Sequence, residues 1–90
     1  FGRDFKIHEG NNNIGRSPVN DITVPDEKVS GKHCVILYRH AEKTFFIKDN
    51  MSNNGTFLNG NSLPPDQASE LKDGDKIKVG DVVFLFRQAF

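Results

Sequence analysis

At 90 residues, 36% hydrophobic and 27% charged, with 12 basic and 12 acidic side chains in balance, the chain has the profile of one small domain spanning residues 1–90. A formal net charge of zero argues against a general nucleic-acid binder, which needs a basic face to displace phosphate counterions. No apolar run approaches the roughly 18 residues that suggest membrane insertion, and the N-terminus lacks the basic-then-apolar pattern of a signal peptide.

The chain starts at Phe1 rather than Met, which reads as a piece excised from a longer protein. Cys34 is the lone cysteine, so no intrachain disulfide can form, and an intracellular setting, cytoplasmic or nuclear, is expected. In chain order, Phe5 and Ile7 alternate with Lys6 and His8 as in a short strand, and Ile22 and Val24 flank Thr23 in the same way. Cys34-Val35-Ile36-Leu37-Tyr38 and Thr44-Phe45-Phe46-Ile47 are two strand-like runs, and the polar residues 39–43 between them are a turn of hairpin length.

Farther on, Thr56-Phe57-Leu58 lies between two Asn-Gly turn signals. Residues 64–70 read as an exposed surface loop. Lys76-Ile77-Lys78-Val79 alternates, Gly80-Asp81 turns, and Val82–Phe86 returns as a strand expected to be buried on both faces. No segment repeats apolar residues at helical spacing for more than a turn. Short strands with such frequent turns predict an all-β fold, an antiparallel sandwich or barrel, with the eight Phe suited to its core.

Several chemistries find no support. His8, His33 and His40 lack close-set partners of the zinc type, and one Cys34 cannot build a thiolate site, so no metal and no cofactor is expected. His33 and Cys34 are adjacent, but neighbours on a strand point to opposite faces and cannot act as a nucleophile and base. The run Asp49–Gly55 has a flavour of a calcium loop, yet Met51 sits at the third ligand position and the bidentate Glu is missing. No Gly-x-x-x-x-Gly-Lys phosphate loop is present, and catalysis is not expected.

What remains is three polar loops. At Ile14-Gly15-Arg16-Ser17 a guanidinium follows a strand and a glycine, whose missing Cβ lets a ligand or another backbone come close. At Val29-Ser30-Gly31-Lys32-His33 a hydroxyl, flexible amides and an ammonium stand within three positions and can cradle an anion. At Asn53-Asn54-Gly55, side-chain amides that donate and accept together suit the backbone of an extended peptide. Each loop taken alone also fits an ordinary solvated turn.

Together, and in this order, Gly15-Arg16, Ser30-Gly31-Lys32-His33 and Asn54-Gly55-Thr56-Phe57-Leu58-Asn59-Gly60 resemble the forkhead-associated (FHA) domain, a module that binds phosphothreonine peptides. Asn20-Asp21-Ile22, Asp49 and Leu71–Ile77 followed by Gly80 support the likeness, which covers about Gly2 to Phe86. The resemblance implies a two-sheet β-sandwich, usually of eleven strands, with the first strand lying before Phe1. It implies that Arg16 and Ser30 contact the phosphate, that Asn54 bonds the peptide main chain, and that Gly15, His33, Gly55 and Thr56 support the site.

In many members the residue after the Ser, and a Ser or Thr before the Asn-Gly pair, also hold the phosphate. This chain has Gly31 and Asn53 there, so the contact would pass to the Gly31 backbone or Lys32, and an amide of Asn53 would replace a hydroxyl. The implied partner is a phosphothreonine protein or peptide, phosphorylated by a Ser/Thr kinase. An alternative is an assembly domain of the same fold that binds through a sheet face, independently of phosphate.

Overall fold

The computed structural model describes residues 4–88, which form nine strands and no helix. In chain order they are β1 (Gly10–Gly15), β2 (Ile22–Thr23), β3 (Cys34–Arg39), β4 (Thr44–Asp49), β5 (Thr56–Leu58), β6 (Asn61–Ser62), β7 (Ser69–Leu71), β8 (Lys76–Val79) and β9 (Val82–Leu85). One sheet has the order β2-β1-β3-β4-β7 and the other β6-β5-β8-β9. Every ladder between strands is antiparallel except that of β1 with β2, in which Ile14 faces Ile22. The expected all-β two-sheet sandwich is therefore present, with a single parallel pair at one edge.

The core is mainly aliphatic. Ile14, Ile22, Val24, Val29, Ile36, Ile47, Ile77 and Val79 are buried between the sheets, where β-branched side chains suit the pleated surface. Of the described phenylalanines, only Phe45 and Phe86 are buried, and Phe5 and Phe84 pack at the margin, so the aromatic core expected from composition is a minor part. Phe45 stacks on Tyr38 across the central hairpin, with ring centroids 4.2 Å apart, and meets Phe86 edge-on.

Three sequence expectations change. Phe5–His8 keeps the expected alternation in burial but forms no ladder, because a strand needs a paired neighbour as well as a pattern. The loop at 64–70 is shorter than expected, since Ser69 and Glu70 pair with β4. Val82–Phe86 is not buried on both faces: β9 lies at the end of its sheet, and Val83 and Leu85 are 59% and 56% exposed on the outer side. An expected first strand before Phe1 lies outside the described residues.

Two hairpin turns behave as read. Asn59 and Gly60 have φ of 52° and 86°, the pair of positive values that a two-residue hairpin loop requires. Gly80, at φ 61°, closes the β8–β9 turn. The net effect of the topology is that the segments after β1, before β3 and after β4 lie together at one end of the sandwich, where hydrogen bonds join them.

Candidate functional site

The first loop leaves β1 at Gly15. An ideal Cβ built on Gly15 would overlap the carbonyl oxygen of Gly31 and come within 2.8 Å of Asn20 Nδ2, so the close approach that glycine permits is that of the neighbouring loop. The contact is a ladder of backbone bonds: Arg16 N–H donates to Ser30 O at 2.9 Å and Ser17 N–H to Gly31 O at 3.2 Å. Arg16 is thus held beside Ser30 by its own main chain, while its side chain stays exposed and, among the described residues, forms no ion pair.

The second loop is anchored from below by His33, which is fully buried. Ser30 N–H donates to His33 Nδ1 at 3.1 Å, and His33 Nε2 lies 2.8 Å from the Gly55 carbonyl. An amide N–H can only donate and a carbonyl can only accept, so both bonds require the neutral ring with its proton on Nε2. One side chain therefore joins the second loop to the third. The backbone reinforces this, with Asn50 N–H donating to His33 O at 2.9 Å.

The third loop is stiffened by Asp49, buried at the end of β4. Its carboxylate accepts from Thr56 Oγ1 at 2.7 Å, from Ser52 Oγ at 2.5 Å and from Ser52 N–H at 3.1 Å. Gly55 takes φ 81°, a left-handed conformation that glycine adopts without strain. The loop then returns to the second: Asn53 N–H donates to Ser30 Oγ at 3.1 Å, and Asn54 Nδ2 donates to the Lys28 carbonyl at 2.8 Å.

A sequence model of the FHA domain matches residues 12–80, a range that contains all three loops. The chain belongs to the FHA domain family. Among curated proteins it is 37% identical, over 96% of its length, to the probable serine/threonine-protein kinase fhkA of Dictyostelium discoideum, and it spans 16% of that protein. A solved structure from a study of phosphothreonine-dependent FHA domain interactions superposes with a TM-score of 0.89 at 32% identity, covering 98% of this chain and 86% of that one. Mycobacterium tuberculosis EmbR, solved with a low affinity phosphopeptide, superposes with a TM-score of 0.86 at 31% identity, covering 96% of this chain and 22% of that one.

In this FHA domain, Arg16, Gly31, Lys32, Asn53 and Asn54 are exposed and Ser30 is half-buried, whereas His33 and Thr56 are fully buried beneath them. The structure thus brings the three polar loops together at one end of the sandwich. Two take a part in the scaffold that their position alone did not indicate. Asn53 braces Ser30 through its main chain, and Asn54 spends one N–H on the second loop, leaving its Oδ1 and its other N–H without a partner among the described residues.

Sequence reasoning gave no role to Asn20, which ties the first loop to the second, or to Ser52, which bonds Asp49 at the start of the third. A Ser three residues after Asp49 was the available signal for the second, since this spacing lets a hydroxyl return to a carboxylate across a turn. Cys34 lies at the inner edge of the site, where burial pushes its thiol up to about 12 from an ordinary 9.0. Among the described residues, no group of three or more His, Cys, Asp or Glu is placed to hold a metal ion.

Proposed function

We propose that this FHA domain is a non-catalytic recognition module that docks a phosphothreonine-containing segment of a partner, phosphorylated by a Ser/Thr kinase, in intracellular signalling. The observation that carries this reading is the joining of Arg16, Ser30 and Asn54 through hydrogen bonds of their own loops at one end of the sandwich. A phosphate brings about −1.5 to −2 charges and three acceptor oxygens. Arg16 and Lys32 supply positive charge that no described residue pairs, Ser30 a hydroxyl, and Asn53 an exposed amide, while Asn54 is left to grip the peptide main chain. The apolar sandwich serves to keep these donors in register, so little ordering is left for the moment of binding.

Titration with a phosphothreonine peptide library and its unphosphorylated counterpart tests the proposal. Binding of the phosphorylated forms alone is expected; equal binding of both, or of neither, would sink it. A second reading, assembly through a sheet face, draws on the outer side of the second sheet, where Phe57, Lys78 and Val83 stand in register across three strands. An Arg16→Ala variant separates the two: partner binding is lost if phosphate is recognised and is unchanged if the sheet face does the work.

A further inference from the structure

Asn20 is buried, at 8% exposure, in the loop between β1 and β2. Its side-chain amide donates to the Ser17 carbonyl at 2.8 Å, within its own loop, and to the Gly31 carbonyl at 2.6 Å, in the neighbouring one. Its backbone N–H adds a third bond, to Ser17 O at 3.1 Å. Oδ1 has no hydrogen-bond partner and is itself buried. Burying an unpaired acceptor is unfavourable, so the use of asparagine here rests on the two N–H groups.

The Gly31 carbonyl receives both Ser17 N–H and Asn20 Nδ2, and the Ser30 carbonyl receives Arg16 N–H. Both peptide bonds are trans, and in a trans peptide the C=O and N–H point in opposite directions. With the carbonyls of Ser30 and Gly31 both drawn toward the first loop, the N–H groups of Gly31 and Lys32 are turned away from it. Among the described residues neither N–H has a partner. Successive free amides at a bend can bond an anion, here at the position where this chain has no side chain to offer.

We propose that Asn20 is a positioning residue of the phosphate site, holding the Gly31 peptide so that the N–H groups of Gly31 and Lys32 are presented to the ligand. Gly15 belongs to the same device, because a Cβ there would displace both the Asn20 amide and the Gly31 carbonyl. The inference rests on the phosphopeptide reading given above, and it adds a backbone contact that replaces the side chain missing at Gly31.

The test uses the wild-type domain and the variants Asn20→Ala and Asn20→Ser with one phosphothreonine peptide that the wild type binds. Binding, thermal stability and the amide NMR shifts of Gly31 and Lys32 are followed together. The wild type is expected to show downfield shifts of both amides on binding. Asn20→Ala is expected to bind roughly tenfold more weakly, in line with loss of oriented donors to a charged group, and to lose those shifts while remaining folded. Asn20→Ser, with one donor left, is expected to fall between.

Hydrogen exchange at the Ser17 amide should quicken in both variants relative to the His33 amide, which bonds Ile14. Unchanged affinity and unchanged shifts in a folded variant overturn the inference and leave the phosphopeptide reading intact. A wild-type domain that does not distinguish phosphorylated from unphosphorylated peptide overturns both.

Discussion

The amide N–H of Asn53 donates to the hydroxyl oxygen of Ser30, 3.1 Å away, across the gap between two loops. The bond uses the oxygen of Ser30 as an acceptor and leaves its hydroxyl proton free to be given elsewhere. It also narrows the directions in which that proton can point.

Ser30→Ala removes this donor and the brace together. Hydrogen bonds to charged groups contribute about 1.5–3 kcal/mol, so phosphopeptide affinity should fall roughly 10- to 100-fold. Because the Ser30–Asn53 bond lies at the exposed rim, the melting temperature should move by only a few degrees. Calorimetric titration alongside a thermal melt checks this, and a large loss of stability with unchanged affinity would place Ser30 in the scaffold instead.

His33→Ala acts in the opposite sense. The ring is fully buried and satisfies Ser30 N–H and the Gly55 carbonyl at once. Its removal leaves two polar groups unpaired as well as a cavity, and a cost of about 3 kcal/mol is expected. At about 4–8 °C per kcal/mol for a domain of this size, the melting temperature should drop by about 12–24 °C. Phosphopeptide binding should fail with it, and differential scanning calorimetry of the ligand-free protein reads the stability part alone.

Gly31 offers a gain rather than a loss. Nothing lies within 4 Å of a Cβ built there, and its φ is outside the left-handed region, so a side chain can be added without strain. Gly31→Asn places an amide beside Ser30 and Arg16. One further hydrogen bond contributes about 1 kcal/mol, which predicts roughly fivefold tighter phosphopeptide binding with unchanged stability. Weaker binding in the titration would mean that the ligand approaches the Gly31 backbone too closely for any side chain.

The legible parts of this fold are those decided within a few residues. Asn59-Gly60 announces its turn because both positions need positive φ, and Gly15-Arg16, Ser30 and Asn54-Gly55 mark loops that the structure then joins. What escaped depends on distant partners. The sequence Gly10–Gly15 contains three asparagines and has weak strand propensity, yet it forms β1, in which buried Asn12 exchanges hydrogen bonds with the His8 main chain and donates to the Ile36 carbonyl. The apolar run of β9 reads alike for a central strand and for one at the end of a sheet, and only the strand order separates them. Asn20 looks like any turn asparagine until the second loop is placed against it.

Cys34 supplies a prediction about pH. Burial raises its thiol to about 12 in the folded domain, against an ordinary 9.0. Below pH 9 the thiol is protonated in both states and contributes no pH dependence. Between pH 9 and about 12 the unfolded chain gives up this proton while the folded one keeps it, so the unfolded state binds fewer protons and stability falls as pH rises. The slope from this one group approaches about 1.4 kcal/mol per pH unit. The measurement is a difference, so that contributions shared by both proteins cancel: urea midpoints of wild type and Cys34→Ala from pH 8 to 10.5, with the wild type losing stability faster above pH 9. Parallel slopes would refute a protected thiol, as would rapid labelling of the native protein at pH 8 by a thiol-specific reagent.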